Sequence, residues 1–108
     1  MIDFSSAARG NRFTYSVCGH SLAAPYGSDI VCAAVSTLTY LIYFTAKQLD
    51  DEGLLSAFSH TVRPGYAKIE FTVRDGGLSR AKFVLDAVGS VVRGLSEKYP
   101  KNVKVKRY

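Results

Sequence analysis

From Leu78 to Tyr99 the apolar residues Leu78, Ala81, Leu85, Val88, Val92, Leu95 and Tyr99 recur at intervals of three and four. That spacing is the period of an α-helix with a single apolar stripe. Asp75-Gly76-Gly77 opens the helix and Pro100 stops it, because a proline ring has no N–H to donate and blocks the preceding turn. A stripe of this kind must be covered by a second layer. The rest of the chain supplies that layer as short segments of period two. Ile2, Phe4 and Ser6 alternate with Asp3 and Ser5, and after an Arg9-Gly10-Asn11 turn Phe13, Tyr15 and Val17 alternate with Thr14, Ser16 and Cys18. Phe58, His60 and Val62 form a third such segment, and Pro64-Gly65 turns the chain. Ala67, Ile69, Phe71 and Val73 form a fourth, and Val103 and Val105 alternate with Lys104 and Lys106 in a short closing strand.

Between the second and third strands lies a stretch with a different pattern. Residues 21–27, Ser-Leu-Ala-Ala-Pro-Tyr-Gly, read as a loop, and Ser28 or Asp29 suits the N-cap of a helix running to about Gln48. Ile30, Ala34, Leu38, Leu41, Ile42 and Thr45 are expected on one face, widened by Val31 and Val35. A helix this apolar is expected to be buried on most sides, by the sheet and by a second subunit. Asp50-Asp51-Glu52-Gly53 is expected to fall outside its last turn, since acids there oppose the helix dipole.

The order is therefore ββαββαβ. Tight hairpins imply a two-layer α+β domain, a mainly antiparallel sheet with both helices on one face. A chain of 108 residues is expected to form one domain over residues 1–108. No basic region leads an apolar stretch at Met1-Ile2-Asp3-Phe4, and residues 30–44 are interrupted by Ser36, Thr37 and Thr39. That stretch is also shorter than the ~20 residues a bilayer span needs, so no membrane association is expected. A reducing cytoplasm, with Cys18 and Cys32 as thiols, is the expected setting.

Cys32 falls near the start of the first helix, in Gly27-Ser28-Asp29-Ile30-Val31-Cys32. Unsatisfied backbone N–H groups and the positive end of the helix dipole suit a thiolate nucleophile there, and the same N–H groups can bind an oxyanion. His20, at the exit of the second strand, is placed to act as general base and then acid. A Cys and a His in one small chain also co-occur by chance, and a lone cysteine is most often core.

The run Gly19-His20, a short loop, then Gly27-x-Asp29-Ile30-Val31-Cys32-Ala33-Ala34-Val35-Ser36 resembles the signature of the ribosomal-processing cysteine protease family, Prp. The match is close over residues 19–36 and looser over the rest of the chain. The resemblance implies a cytoplasmic bacterial endopeptidase without cofactor, acting as a homodimer. Its substrate would be the N-terminal extension of large-subunit ribosomal protein number twenty-seven, cut after a pair of aromatic residues during ribosome assembly. By position it implies Cys32 as nucleophile and His20 as base, with Asp29 and Ser36 in support. Ser21, where the family pattern has alanine, and the Ala23-Ala24-Pro25 loop depart from that pattern near the substrate-binding loop.

The bland readings of the flanking residues are definite. Asp29 can orient His20 or cap the helix, and Ser36 can hydrogen-bond toward the site or simply pack. Gly19 and Gly27 can border substrate or merely permit turns, and Tyr26 can stack on a substrate aromatic or cover core. Two rival functions remain. Cys18, His20, Cys32 and His60 could converge on zinc, although their spacing fits no common zinc module and His60 is expected as a hydrogen-bonded core residue. Fourteen Lys and Arg against nine Asp and Glu give +5, which could serve a small RNA- or ribosome-binding module without catalysis. Those charges are scattered apart from Lys101, Lys104, Lys106 and Arg107, without aromatics interleaved among them on one strand, which argues against direct RNA binding.

Overall fold

The computed structural model describes residues 1–19 and 30–107. Its elements are β1 (Ile2–Arg9), β2 (Arg12–Gly19), α1 (Ile30–Asp51), β3 (Leu55–Arg63), β4 (Tyr66–Val73), a single 3₁₀ turn (Asp75–Gly77), α2 (Leu78–Lys98) and β5 (Val103–Arg107). The strands form one sheet in the order β3-β4-β2-β1-β5. All neighbours are antiparallel except β5, which runs parallel to β1, with Ile2 opposite Val103. The two-layer α+β architecture and the ββαββαβ order expected from the alternation are what the structure has.

Period-two alternation decides which face of the sheet is covered. Ile2, Phe4, Phe13, Tyr15, Val17, Ala67, Ile69, Phe71, Val73 and Val103 are buried, and they meet Val31, Val35, Ile42, Ala46 and Leu49 of α1 and Ala81, Leu85, Val88 and Val92 of α2. Both helices thus lie on this one face, and α1 packs against α2, β3 and β4 while α2 packs against β5. Within the core Phe4 meets Tyr15 edge-on at 5.1 Å, and Phe13 stacks on Phe71 at 5.3 Å. The Tyr15 hydroxyl lies 3.0 Å from Thr39 Oγ1, which itself donates to the Val35 carbonyl, so the buried polar atoms of both side chains are partnered.

The structure corrects the expected first helix in two respects. Its buried line is Val31, Val35, Thr39, Ile42, Ala46 and Leu49, about a quarter-turn from the expected face, and Ile30 and Leu41 point outward. The cause is the absence of charged residues over 30–46: the few polar side chains there are small hydroxyls that tolerate burial, so periodicity does not single out one face. Asp50 and Asp51 also lie inside the helix. Lys47 Nζ contacts Asp51 Oδ1 at 2.7 Å and offsets the unfavourable end charge. Chain reversal comes two residues later, at Gly53 (φ +74°), where Gly53 N–H donates to Asp50 O and Leu54 N–H to Leu49 O. At 22 residues, α1 is by length and composition long enough to cross a bilayer, longer than the stretch expected from sequence, but here the sheet covers one of its faces.

His60 is a third correction. It stands opposite Ile69 on β3, facing the helix layer as the alternation requires, yet it is exposed. β3 is an edge strand reaching past the core, and His60 rests there against Tyr43, ring centroids 4.9 Å apart.

Candidate active site

Cys32 is the third described residue of α1, on the side turned toward the β3–β4 hairpin. The first turn of a helix is the positive end of its dipole, where negative charge developing on a carbonyl oxygen is favoured. Cys32 is half-buried and belongs to no disulfide. It opens on a cleft of about 450 Å³. Val35, Ser36, Thr39 and Tyr40 of α1 form one wall, the hairpin from Val62 through Ala67 forms the other, and Ile2, Val17 and Gly19 close the end of the sheet. Most of these walls are apolar, and the volume suits a bulky side chain.

Gly19 is the last residue of β2, paired with Ile2, ending the second strand where the alternation stops. Its φ is +98°, and a Cβ at this position would run into the Met1 carbonyl oxygen, so only glycine fits. Its N–H donates to Gly65 O at 2.9 Å, which ties the tip of the β3–β4 hairpin to the end of β2 and fixes the cleft's width.

Of the residues expected at the site, Cys32, Ser36 and Gly19 line one cleft. His20, Tyr26, Gly27 and Asp29 lie outside the described residues. Tyr40 and Val62 were missed by sequence reasoning, although signals existed. Tyr40 is eight positions, hence about two turns, beyond Cys32, and Val62 alternates with His60 toward the helix layer.

The arrangement required by the zinc rival is not there. Cys18 stands beside Asp3 and Tyr66 in register, on the opposite face of the sheet from Val17 and the helices, whereas Cys32 is in the helix layer. Among the described residues no three His, Cys, Asp or Glu side chains gather into a metal-binding group.

Comparison with solved structures agrees with this fold. The essential ribosomal processing protease Prp from S. aureus, with a covalently linked product peptide, superposes with a TM-score of 0.74 at 20% identity, covering 100% of both chains. The same protein with a substrate peptide gives 0.68 at 16% identity, again over 100% of both chains. SMU.848 from Streptococcus mutans gives 0.67 at 24% identity, covering 99% of this chain and 93% of that one. No curated protein matches the sequence. The family model for cysteine protease Prp matches residues 1–104, nearly the whole chain, with Cys32 and its cleft inside the match, so this chain belongs to the Prp family of cysteine proteases.

Proposed function

We propose that the chain is a bacterial endopeptidase of the cytoplasm that removes the N-terminal extension of large-subunit ribosomal protein number twenty-seven, with Cys32 and His20 as its catalytic pair. The observation that carries this reading is the position of Cys32: at the start of α1, opening on an apolar cleft, in a chain of the Prp family. Gly19, which precedes His20 in the sequence, lines that same cleft. Walls of Val17, Val35, Val62 and Tyr40 suit the aromatic pair at which the family cuts. A related protease of this fold has been seen with a substrate peptide and with a covalently linked product peptide.

The chemistry is acyl transfer. His20 takes the thiol proton, Cys32 Sγ bonds to the scissile carbonyl carbon, and the carbonyl oxygen becomes an oxyanion held by N–H groups at the helix start. Collapse breaks the C–N bond, His20 hands its proton to the departing amine, and a thioester remains. Water, deprotonated by His20, then attacks the thioester. The S–C bond breaks, a carboxylate product leaves and the thiol is restored. Asp29 assists by orienting His20 or by holding the helix start, and Ser36 supports the same wall one turn on.

A homodimer fits the outer side of α1. Residues 30–46 contain no charged side chain, and Ile30 (66% exposed), Leu41 (47%) and Phe44 (56%) point away from the sheet. An uncharged, apolar helix face of this kind is what a second copy would cover.

The test is kinetic. On a peptide spanning the cleavage site, Cys32→Ala and His20→Ala should each reduce kcat/KM by at least about a thousandfold with unchanged circular dichroism, and the double variant should be scarcely worse than either single one. Normal cleavage by Cys32→Ala would refute the assignment.

A further inference from the structure

The cleft does not end at Cys32. On α1, Cys32, Ser36 and Tyr40 succeed one another at four-residue intervals and line its wall, and Tyr43 follows on the same side of the helix. β3 runs back along this side, and its helix-facing residues Val62, His60 and Phe58 lie opposite in that order. Tyr40 and Val62 belong to the cleft itself, while Tyr43 contacts His60 at 4.9 Å and Phe58 at 6.2 Å. The result is a continuous lane between helix and strand that begins at the thiol and ends in an aromatic cluster. Tyr40 is 51% exposed and Val62 38%, so the lane is open to solvent.

Two properties of the lane specify its occupant. First, β3 pairs only with β4 among the described strands, so its outer edge offers backbone N–H and C=O groups to an extended chain. Second, Tyr40, Tyr43, Phe58, His60 and Val62 include no acidic or permanently charged side chain, so an apolar side chain is preferred there over an ionised one. We propose that the lane is a substrate track, along which the peptide cut at Cys32 extends beside β3 and seats a second apolar side chain against Tyr40, Tyr43 and His60. Helical rise puts Tyr40 about 12 Å and Tyr43 about 16 Å along the axis from Cys32, and an extended chain covers that in about four residues. The seated residue is therefore about four positions from the cut bond. This inference rests on the protease reading, because it takes Cys32 as the point of cleavage.

The experiment measures binding of fluorescent peptides to the Cys32→Ala protein by anisotropy, so that no turnover is needed. Apolar residues three to five positions from the cut bond, on each side, are replaced one at a time by Asp. At one position, about four residues away, the replacement should weaken binding about tenfold. In proteins that also carry His60→Ala or Tyr40→Ala, that penalty should fall to about twofold or less, and in the active enzyme it should appear in KM rather than kcat. The inference is overturned if no replacement at these positions changes affinity by more than about twofold, or if the penalty persists in both variants. It is also overturned if His60→Ala and Tyr40→Ala alter only the sedimentation of the protein, which would give the lane to a second copy. Failure of every peptide to bind would instead count against the protease reading.

Discussion

The Tyr15 hydroxyl reaches from the sheet to Thr39 of α1 and is buried with it. Thr39 donates its own hydroxyl proton to Val35 O, so Tyr15 is the donor in this contact. Tyr15→Phe leaves Thr39 satisfied as a donor and should cost about 1 kcal/mol, read as a fall in Tm of about 4–8 °C. A second test at this scale concerns Glu70. Its Oε2 accepts a 2.9 Å hydrogen bond from Arg12 Nη2, which holds the carboxyl below the usual glutamate range, and Lys68 adds a weaker attraction. A carboxyl whose pKa is lower in the folded than in the unfolded state stabilises fully above the ordinary glutamate range. That stabilisation is lost as pH falls through the lowered folded value. With Arg12 largely exposed, the pair contributes less than about 1 kcal/mol. Glu70→Gln should therefore lower the urea midpoint slightly at neutral pH, and the deficit should shrink steadily as acidification protonates the carboxyl in both states. A deficit that persisted in strong acid would point to packing instead. That Cys32 lies near the start of α1 was legible at this scale, because the polar pair Ser28-Asp29 precedes an apolar run in the sequence. Arg12–Glu70 was not, because ion pairs across strands depend on register, which alternation alone does not reveal.

At the scale of elements, legibility followed contrast between faces. β1, β2, β4 and α2 mix polar and apolar residues, so each pattern has a definite phase, and Ile69, Phe71, Val88 and Val92 are buried as expected. α1 lacks that contrast, and its orientation is set by which side chains fit under Tyr15 and Phe4 rather than by its own periodicity. β3 alternates correctly yet stays exposed, since being at the edge is a property of strand order and not of the strand's own sequence. The end of β2 supplies the test for this scale. Gly19→Ala places a side chain on a left-handed residue and against Met1 O, and should cost about 2 kcal/mol or more. Because Gly19 also carries the bond to Gly65, hydrogen exchange should show opening concentrated at β1, β2 and the hairpin tip, with α2 little affected. Uniform loss of protection would show that Gly19 holds no local junction.

At the scale of the whole molecule, the parallel pairing of β5 with β1 brings the two ends of the described chain together beneath α2. The same arrangement leaves the outer side of α1 uncovered. Leu41→Asp or Phe44→Asp should therefore halve the mass seen by sedimentation while preserving the circular dichroism of the fold. A monomeric parent protein would remove the need for a second copy. A second copy was expected from the apolar first helix alone, whereas the lane beside β3 was not read from the chain, because it arises where separate elements meet. The central claim is that Cys32 cuts the extension from a ribosomal protein, and intact-mass measurement tests it most directly. Purified protein is mixed in turn with the extended and the mature forms of large-subunit ribosomal protein number twenty-seven, beside a Cys32→Ala control. The account predicts that the extended form alone loses its N-terminal segment at a single bond, and only with Cys32 present. An extended form left whole by the parent protein, or trimmed equally by Cys32→Ala, would contradict it.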